Sequence, residues 1–355
     1  MDIAYQRLQN QHLWRPLSGK PEDVVRRLVA VQAQDFAGAK WALGLRLQGA
    51  TDAAIEDAFT EGSILRTHLL RPTWHFVTPA DIRWILALTA PRVHAVNASM
   101  YRKLELDRAI LKRSKAVLAK ALQGNNQLTR DELRGALRKA GIATEGEFRM
   151  GYIMMAAELD GIVCSGGRRG KQFTYALLDE RAPHARTLEG DEALAELARR
   201  YFISRGPATL ADFAKWSGLT ITDAKRGLDF VRTQLLQEVV DGQTSWFSKP
   251  EPSVKAVSPT AYLLSIYDEY ISGYKDHSAI GDERHLAQLK ALGNALNSIV
   301  VVDGQVIGTW KRTLKRSTVI IETNPFAPLT RAENRAVALA AEQYGSFLGK
   351  TVVMI

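Results

Sequence analysis

Apolar residues recur at helical spacing in three separate stretches of this chain, and each time the helical pattern gives way to two short extended runs. The first stretch opens at Pro21-Glu22-Asp23, with proline and acids where a helix start favours them, and Val24, Val25, Leu28, Val29 and Val31 form its apolar stripe. A second helical run over 37–47 carries Trp41, Leu43 and Leu45, and a third begins after Thr51-Asp52 and ends near Gly62. Extended runs at 64–68 and 73–77 follow, with Pro72 forcing a turn between them. Three helices and then a ribbon predict a winged helix over 1–78.

Residues 79–122 read as connecting helices, which Pro91 is expected to break. The order then restarts over 123–186. Thr129-Arg130-Asp131-Glu132 is a capping box opening a helix, a second helix covers 147–159, and strands at 162–164 and 173–177 flank a glycine-rich loop. A third repeat over 187–250 has helices at 191–204, 210–216 and 222–235, then a ribbon turning at Asp241-Gly242. Lys249-Pro250-Glu251-Pro252 reads as a stiff linker into a strand-rich segment over 251–355. Its clearest signal is a pair of β-branched runs closed by Asp303-Gly304; a strand at 318–322, a helix at 330–348 and a last strand at 351–355 complete it. The expected fold is α+β: three tandem winged-helix motifs followed by a C-terminal β-barrel-like domain.

Charge narrows the partner. Lys and Arg number 47 against 38 Asp and Glu, a net charge of +9 and a pI near 9.6, which fits a polyanion such as nucleic acid, although many basic proteins bind none. Cys164 is the single cysteine, so an intrachain disulfide and an all-cysteine metal site are excluded and a reducing cytoplasm is expected. No signal-peptide pattern and no apolar run of about 18 residues is visible, which argues against secretion and membrane insertion. The seven histidines lack metal-ligand spacing, so neither metal nor cofactor is expected. No dimerisation heptads are visible, and a monomer is expected.

Several clusters bear on chemistry. Arg168, Arg169 and Lys171 crowd the loop of the second ribbon, and Lys311, Arg312, Lys315 and Arg316 crowd a hairpin of the C-terminal segment; each group reads either as a phosphate contact or as a solvated turn. His68, Arg71, Trp74 and His75 read as a wall for a sugar-phosphate or an extruded base, or equally as half-buried strand residues. Asp268, Glu269 and Tyr270, with Tyr274, Lys275 and Asp276, could line a cleft; an interface network is the preferred reading. Gln32 and Gln34 flank Ala33 at the end of the first apolar stripe. On a continuous helix two residues at i, i+2 would lie about 200° apart. Either the helix ends near Val31, or only one amide serves a site, or both merely cap the helix.

Taken together, Gln32-Ala33-Gln34, the run 70–75, Tyr267-Asp268-Glu269-Tyr270 with Gly273-Tyr274-Lys275-Asp276, and the hairpin 302–312 resemble the AlkZ-like winged-helix DNA glycosylase family over nearly the whole chain. The resemblance implies a C-shaped clamp on double-stranded, damaged DNA and a monofunctional glycosylase excising N7-alkylated purines, with unhooking of interstrand crosslinks in some members. It implies catalytic roles for Gln32 and Gln34 and a duplex-probing role for Lys311 and Arg312. Asp35, directly after the motif, is a departure. An N7-alkylguanine is already cationic, so its glycosidic bond breaks without a general acid; a glutamine carbonyl can position water at C1′ but is too weak to be a base. The competing class is a non-enzymatic winged-helix DNA-binding regulator.

Overall fold

The computed structural model describes residues 2–240, 242–249, 258–291 and 298–355. The Asp241 turn and the linker at 250–252 lie outside these residues. Helix α1 (Ile3–Asn10), which the periodicity passed over as a lead, is capped by Asp2 and anchored by Arg7 and Asn10, which donate to the Pro207 and Gly206 carbonyls at 2.9 and 2.7 Å.

One element order then occurs three times. It runs α2 (Pro21–Leu28), β1 (Val31–Gln32), α3 (Phe36–Gly44), α4 (Asp52–Glu61), β2 (Leu65–Leu69) and β3 (Thr73–Val77). The single helix α5 (Ile82–Lys103) follows. The order returns as α6 (Arg108–Leu122), β4 (Leu128–Thr129), α7 (Arg130–Lys139), α8 (Arg149–Leu159), β5 (Val163–Ser165) and β6 (Thr174–Leu177), with α9 (Leu178–Arg181) after it. The third instance is α10 (Gly190–Arg205), β7 (Ala208–Thr209), α11 (Leu210–Ser217), α12 (Ile221–Val231), β8 (Leu236–Val240) and β9 (Gln243–Phe247). In each, the two-residue first strand pairs with the third, giving three sheets of order β1-β3-β2, β4-β6-β5 and β7-β9-β8.

Pro91 does not break α5. The helix runs through it, and Ala90 and Val93 on either side are buried with Leu159, so packing offsets the lost backbone bond. No described helix is long and apolar enough to cross a membrane.

The C-terminal segment holds β10 (Ala261–Leu264), α13 (Glu269–Ser272), α14 (Glu283–Ala291), β11 (Ile299–Val302), β12 (Gln305–Leu314), β13 (Thr318–Pro325), α15 (Arg331–Leu348) and β14 (Thr351–Met354). Its sheet has the order β10-β11-β12-β13-β14, antiparallel except for the parallel β13–β14 pair that α15 connects. Among the described residues the outer strands do not pair with each other, so the expected barrel is a half-barrel. Asp303 and Gly304 have φ of 48° and 85°, the left-handed geometry that a two-residue hairpin turn needs. Trp41 of α3 donates to the Leu263 carbonyl at 2.6 Å and packs on Tyr344 and Phe347 of α15, so the first repeat and this sheet share one core.

Candidate active site

The helix before the glutamines ends early. Val29, after the last residue of α2, has a φ of 69°, which a β-branched residue adopts only under constraint. The constraint is Arg205, whose guanidinium donates to the carbonyls on both sides, Leu28 at 2.8 Å and Ala30 at 2.9 Å. From there the chain is extended. Val31 pairs with Phe76 and Gln32 with His75, and the Ala33 N–H donates to the Trp74 carbonyl at 2.7 Å. The helical geometry that would have driven Gln32 and Gln34 apart is absent: Gln32 ends β1 and Gln34 lies at a bend before α3.

Gln32 reaches the turn between β2 and β3, and Gln34 reaches the start of β3. Gln32 Oε1 accepts from Arg71 Nη2 at 2.8 Å, and Gln34 Oε1 accepts from the Trp74 N–H at 3.3 Å. Gln32 is 7% exposed, whereas Gln34 is exposed. The Gln32 N–H donates to Glu269 Oε1 at 2.8 Å, and Glu269 Oε2 accepts from Arg205 at 2.6 Å and from the Trp216 indole at 3.0 Å. Burial alone would raise the Glu269 pKa, but Arg205, the Gln32 N–H and Arg71 outweigh it and hold the carboxyl below its usual value. Arg71 also donates to the Trp216 and Lys215 carbonyls at 2.5 and 3.3 Å, closing the C-terminal end of α11. Gly218 permits this approach: a Cβ there would lie 2.3 Å from the Leu70 carbonyl.

A second cluster lies across the same β hairpin. Arg66 Nε donates to the Ala33 carbonyl at 3.0 Å, and its guanidinium packs over Trp74 at 4.3 Å and Phe173 at 4.7 Å; burial lowers its pKa to about 10. His68 Nδ1 pairs with the buried Glu158 carboxylate, which also accepts from Trp74 Nε1 at 3.4 Å.

The comparisons with known proteins agree with one another. A family model described as DNA glycosylase AlkZ-like matches residues 25–347. The chain belongs to this family. A curated relative, an interstrand DNA cross-link repair glycosylase of Streptomyces sahachiroi, is 27% identical over 319 residues, covering 86% of this chain and 85% of the relative. The solved structure of Streptomyces sahachiroi DNA glycosylase AlkZ superposes with a TM-score of 0.81 at 23% identity, over 100% of this chain and 98% of that one, and so shares the fold.

Against this AlkZ-like background, three of the residues expected to meet DNA are engaged by other groups of the protein. His75 is fully buried with Nδ1 against the Thr73 carbonyl, and burial and the neighbouring Arg71 push its pKa well below the usual histidine value; it has no access to a phosphate. Arg71 commits its guanidinium to Gln32 and α11. Arg168 packs on Phe36 and Phe173 and pairs with Glu56 at 3.3 Å. Arg169 is exposed but pairs with Glu132 at 2.7 Å, and Lys171 is exposed in the same loop.

Lys311, Lys315 and Arg316 are exposed on β12 and its turn, and Arg312 of this hairpin lies 3.8 Å from Asp35 and over the Tyr344 ring. The departure residue Asp35 therefore lies against the basic hairpin, next to the glutamines. Asp268 pairs with Arg46 at 2.7 Å and Tyr270 donates to the Gly304 carbonyl at 2.8 Å, so the 268–270 group is an interface network. Helix α4 carries Asp52, Glu56, Asp57 and Glu61 and no cation, so it does not suit a phosphate backbone. The sequence reading missed Arg66, Glu158, Arg205 and Trp216. Each stands alone in an ordinary helix or strand pattern and acquires meaning only through partners distant in the chain.

Proposed function

We propose that this chain is a monofunctional DNA glycosylase that releases N7-alkylated purines from duplex DNA and unhooks interstrand crosslinks. The observation that carries this reading is the segment Gln32-Ala33-Gln34, whose amides reach the turn after β2 and the start of β3, with Arg312 of the basic hairpin 3.8 Å from the neighbouring Asp35. We read the three repeats, α2 to β3, α6 to β6 and α10 to β9, as winged helices, the first two joined by α5, which with the half-barrel that follows form a C-shaped clamp on the duplex. The name of the curated relative supports a crosslink-repair setting.

The chemistry asks little of the protein. A cationic N7-alkylguanine is its own leaving group, so the enzyme has to present water to C1′ and tolerate an oxocarbenium-like transition state. Gln34 is exposed and its carbonyl oxygen keeps a second lone pair beyond the Trp74 contact, which fits it to hold that water. Lys311, Lys315 and Arg316 supply phosphate contacts.

Purified protein should release N7-alkylguanine from a duplex, and a Gln32→Ala, Gln34→Ala double variant should still bind undamaged duplex but release no base. Equal release by the double variant removes the glutamines from the chemistry. No release by the wild type, with no preference for alkylated over undamaged duplex, would favour a non-enzymatic binding protein.

A further inference from the structure

We infer that Gln32 engages the bound nucleotide as a hydrogen-bond donor, through its amide NH2, while its carbonyl faces Arg71. The inference rests on the glycosylase reading above and assigns Gln32 a polarity opposite to that of a water-holding carbonyl.

The orientation of this amide is dictated by its neighbour. A guanidinium carries donors and no acceptor, so the Gln32 atom 2.8 Å from Arg71 Nη2 must be the oxygen. Arg71 has no freedom to withdraw, because its other nitrogen is held by the Trp216 and Lys215 carbonyls at the end of α11. Turning the amide over would set its NH2 against a buried cation. The backbone of Gln32 is equally fixed: its N–H is on Glu269 and the residue pairs with His75 across the strand. Nε2 has no hydrogen-bond partner among the described residues, yet it is not one of their sealed, unpartnered polar atoms. A donor is therefore left pointing out of a rigid, 7% exposed setting.

Gln34 differs on each count. It is exposed and held by one 3.3 Å contact to a backbone N–H. The two amides thus divide the work, with Gln34 accepting from water and Gln32 donating to a lone-pair acceptor of the extruded nucleotide, on its base edge or its phosphodiester.

The test is Gln32→Glu, which keeps the size and the acceptor facing Arg71 but removes the N–H. Binding is measured on two duplexes, one carrying N7-alkylguanine and one an abasic analogue, alongside base release from the first. We expect at least tenfold weaker binding to the alkylated duplex and a matching loss of release. Weakening confined to that duplex places the acceptor on the base, and equal weakening on both places it on the phosphodiester when the uncharged Gln32→Met, which also lacks the N–H, reproduces it. Binding and release equal to or better than wild type overturn the proposal. If the wild type itself releases no base, the glycosylase reading fails while the binding comparison still decides the donor role. Should Gln32→Glu not fold, 15N-labelled wild type answers instead: the Gln32 side-chain NH2 signals should shift and become protected from exchange when alkylated duplex is added, and unchanged signals overturn the proposal.

Discussion

The Arg205 guanidinium lies 2.6 Å from the Glu269 carboxylate, and their side chains are 0% and 1% exposed. Through this pair α10 and the C-terminal segment fix Gln32: Arg205 clasps the carbonyls around Val29, and Glu269 takes the Gln32 N–H. A buried pair adds little net stability, but breaking one side leaves an uncompensated charge. Arg205→Leu and Glu269→Gln should therefore each destabilise the fold by about 3–5 kcal/mol in urea melts. A loss below about 1 kcal/mol for Arg205→Leu would mean that the network does not hold this region.

Two buried groups contribute to the response to acid, at different pH. His75 has a folded pKa well below its unfolded value of about 6.5, so below that pH the unfolded chain binds the extra proton. Stability should fall as pH drops from 7.5 to 5.5, by up to about 1.4 kcal/mol per pH unit from this residue. Glu269 is also depressed, so its contribution is full above about pH 4.3 and disappears only as pH falls through its folded value. Subtracting the melts of a His75→Gln variant from those of wild type isolates the first window. An unchanged pH slope between 7.5 and 5.5 contradicts a neutral, buried His75.

These residues also show what the sequence could carry. Asp303-Gly304 between β-branched runs announced its hairpin, because turn chemistry and strand alternation are local. The strands β1, β4 and β7 have two residues each, too few for an alternation to register. His75 sits in a strand whose pattern says which residues face opposite ways, but all five residues of the neighbouring β2 are buried, so both faces of this sheet are covered. Arg71 looked like a DNA contact because a cation in a turn usually meets solvent; here α11, distant in the chain, is packed on that turn. The glutamine pair was legible as a pattern, while the left-handed Val29 that ends the helix before it depends on Arg205.

The basic hairpin should be separable from the packed cations by salt dependence. Lys311, Lys315 and Arg316 are exposed, so replacing each with alanine should leave the melt unchanged and lower the slope of log K against log salt by about 0.9 for every phosphate no longer neutralised. Arg168→Ala should do the reverse, lowering the melting temperature by removing its packing on Phe36 and Phe173, with little change in slope. Identical behaviour of the two sets would refute the distinction.

Arg66 offers the sharpest separation of positioning from binding. Its hydrogen bond to the motif is to the Ala33 carbonyl, between the two glutamines, and it is itself held by the Trp74 and Phe173 rings. Lysine keeps the charge at this site but has neither the planar face for the rings nor a nitrogen at the position of Nε. If Arg66 sets the angle at which Gln34 leaves the strand, Arg66→Lys should slow base release at saturating enzyme by tenfold or more while duplex affinity stays within about twofold, because a small displacement acts on the reacting geometry before it acts on phosphate binding. Methionine at 66 separates the two properties that lysine lacks: it fills the space against the rings without any donor, so release as slow as in Arg66→Lys assigns the effect to the Ala33 hydrogen bond, and a return toward wild type assigns it to packing. Parallel losses of affinity and release in both variants would instead make Arg66 a general support of the hairpin.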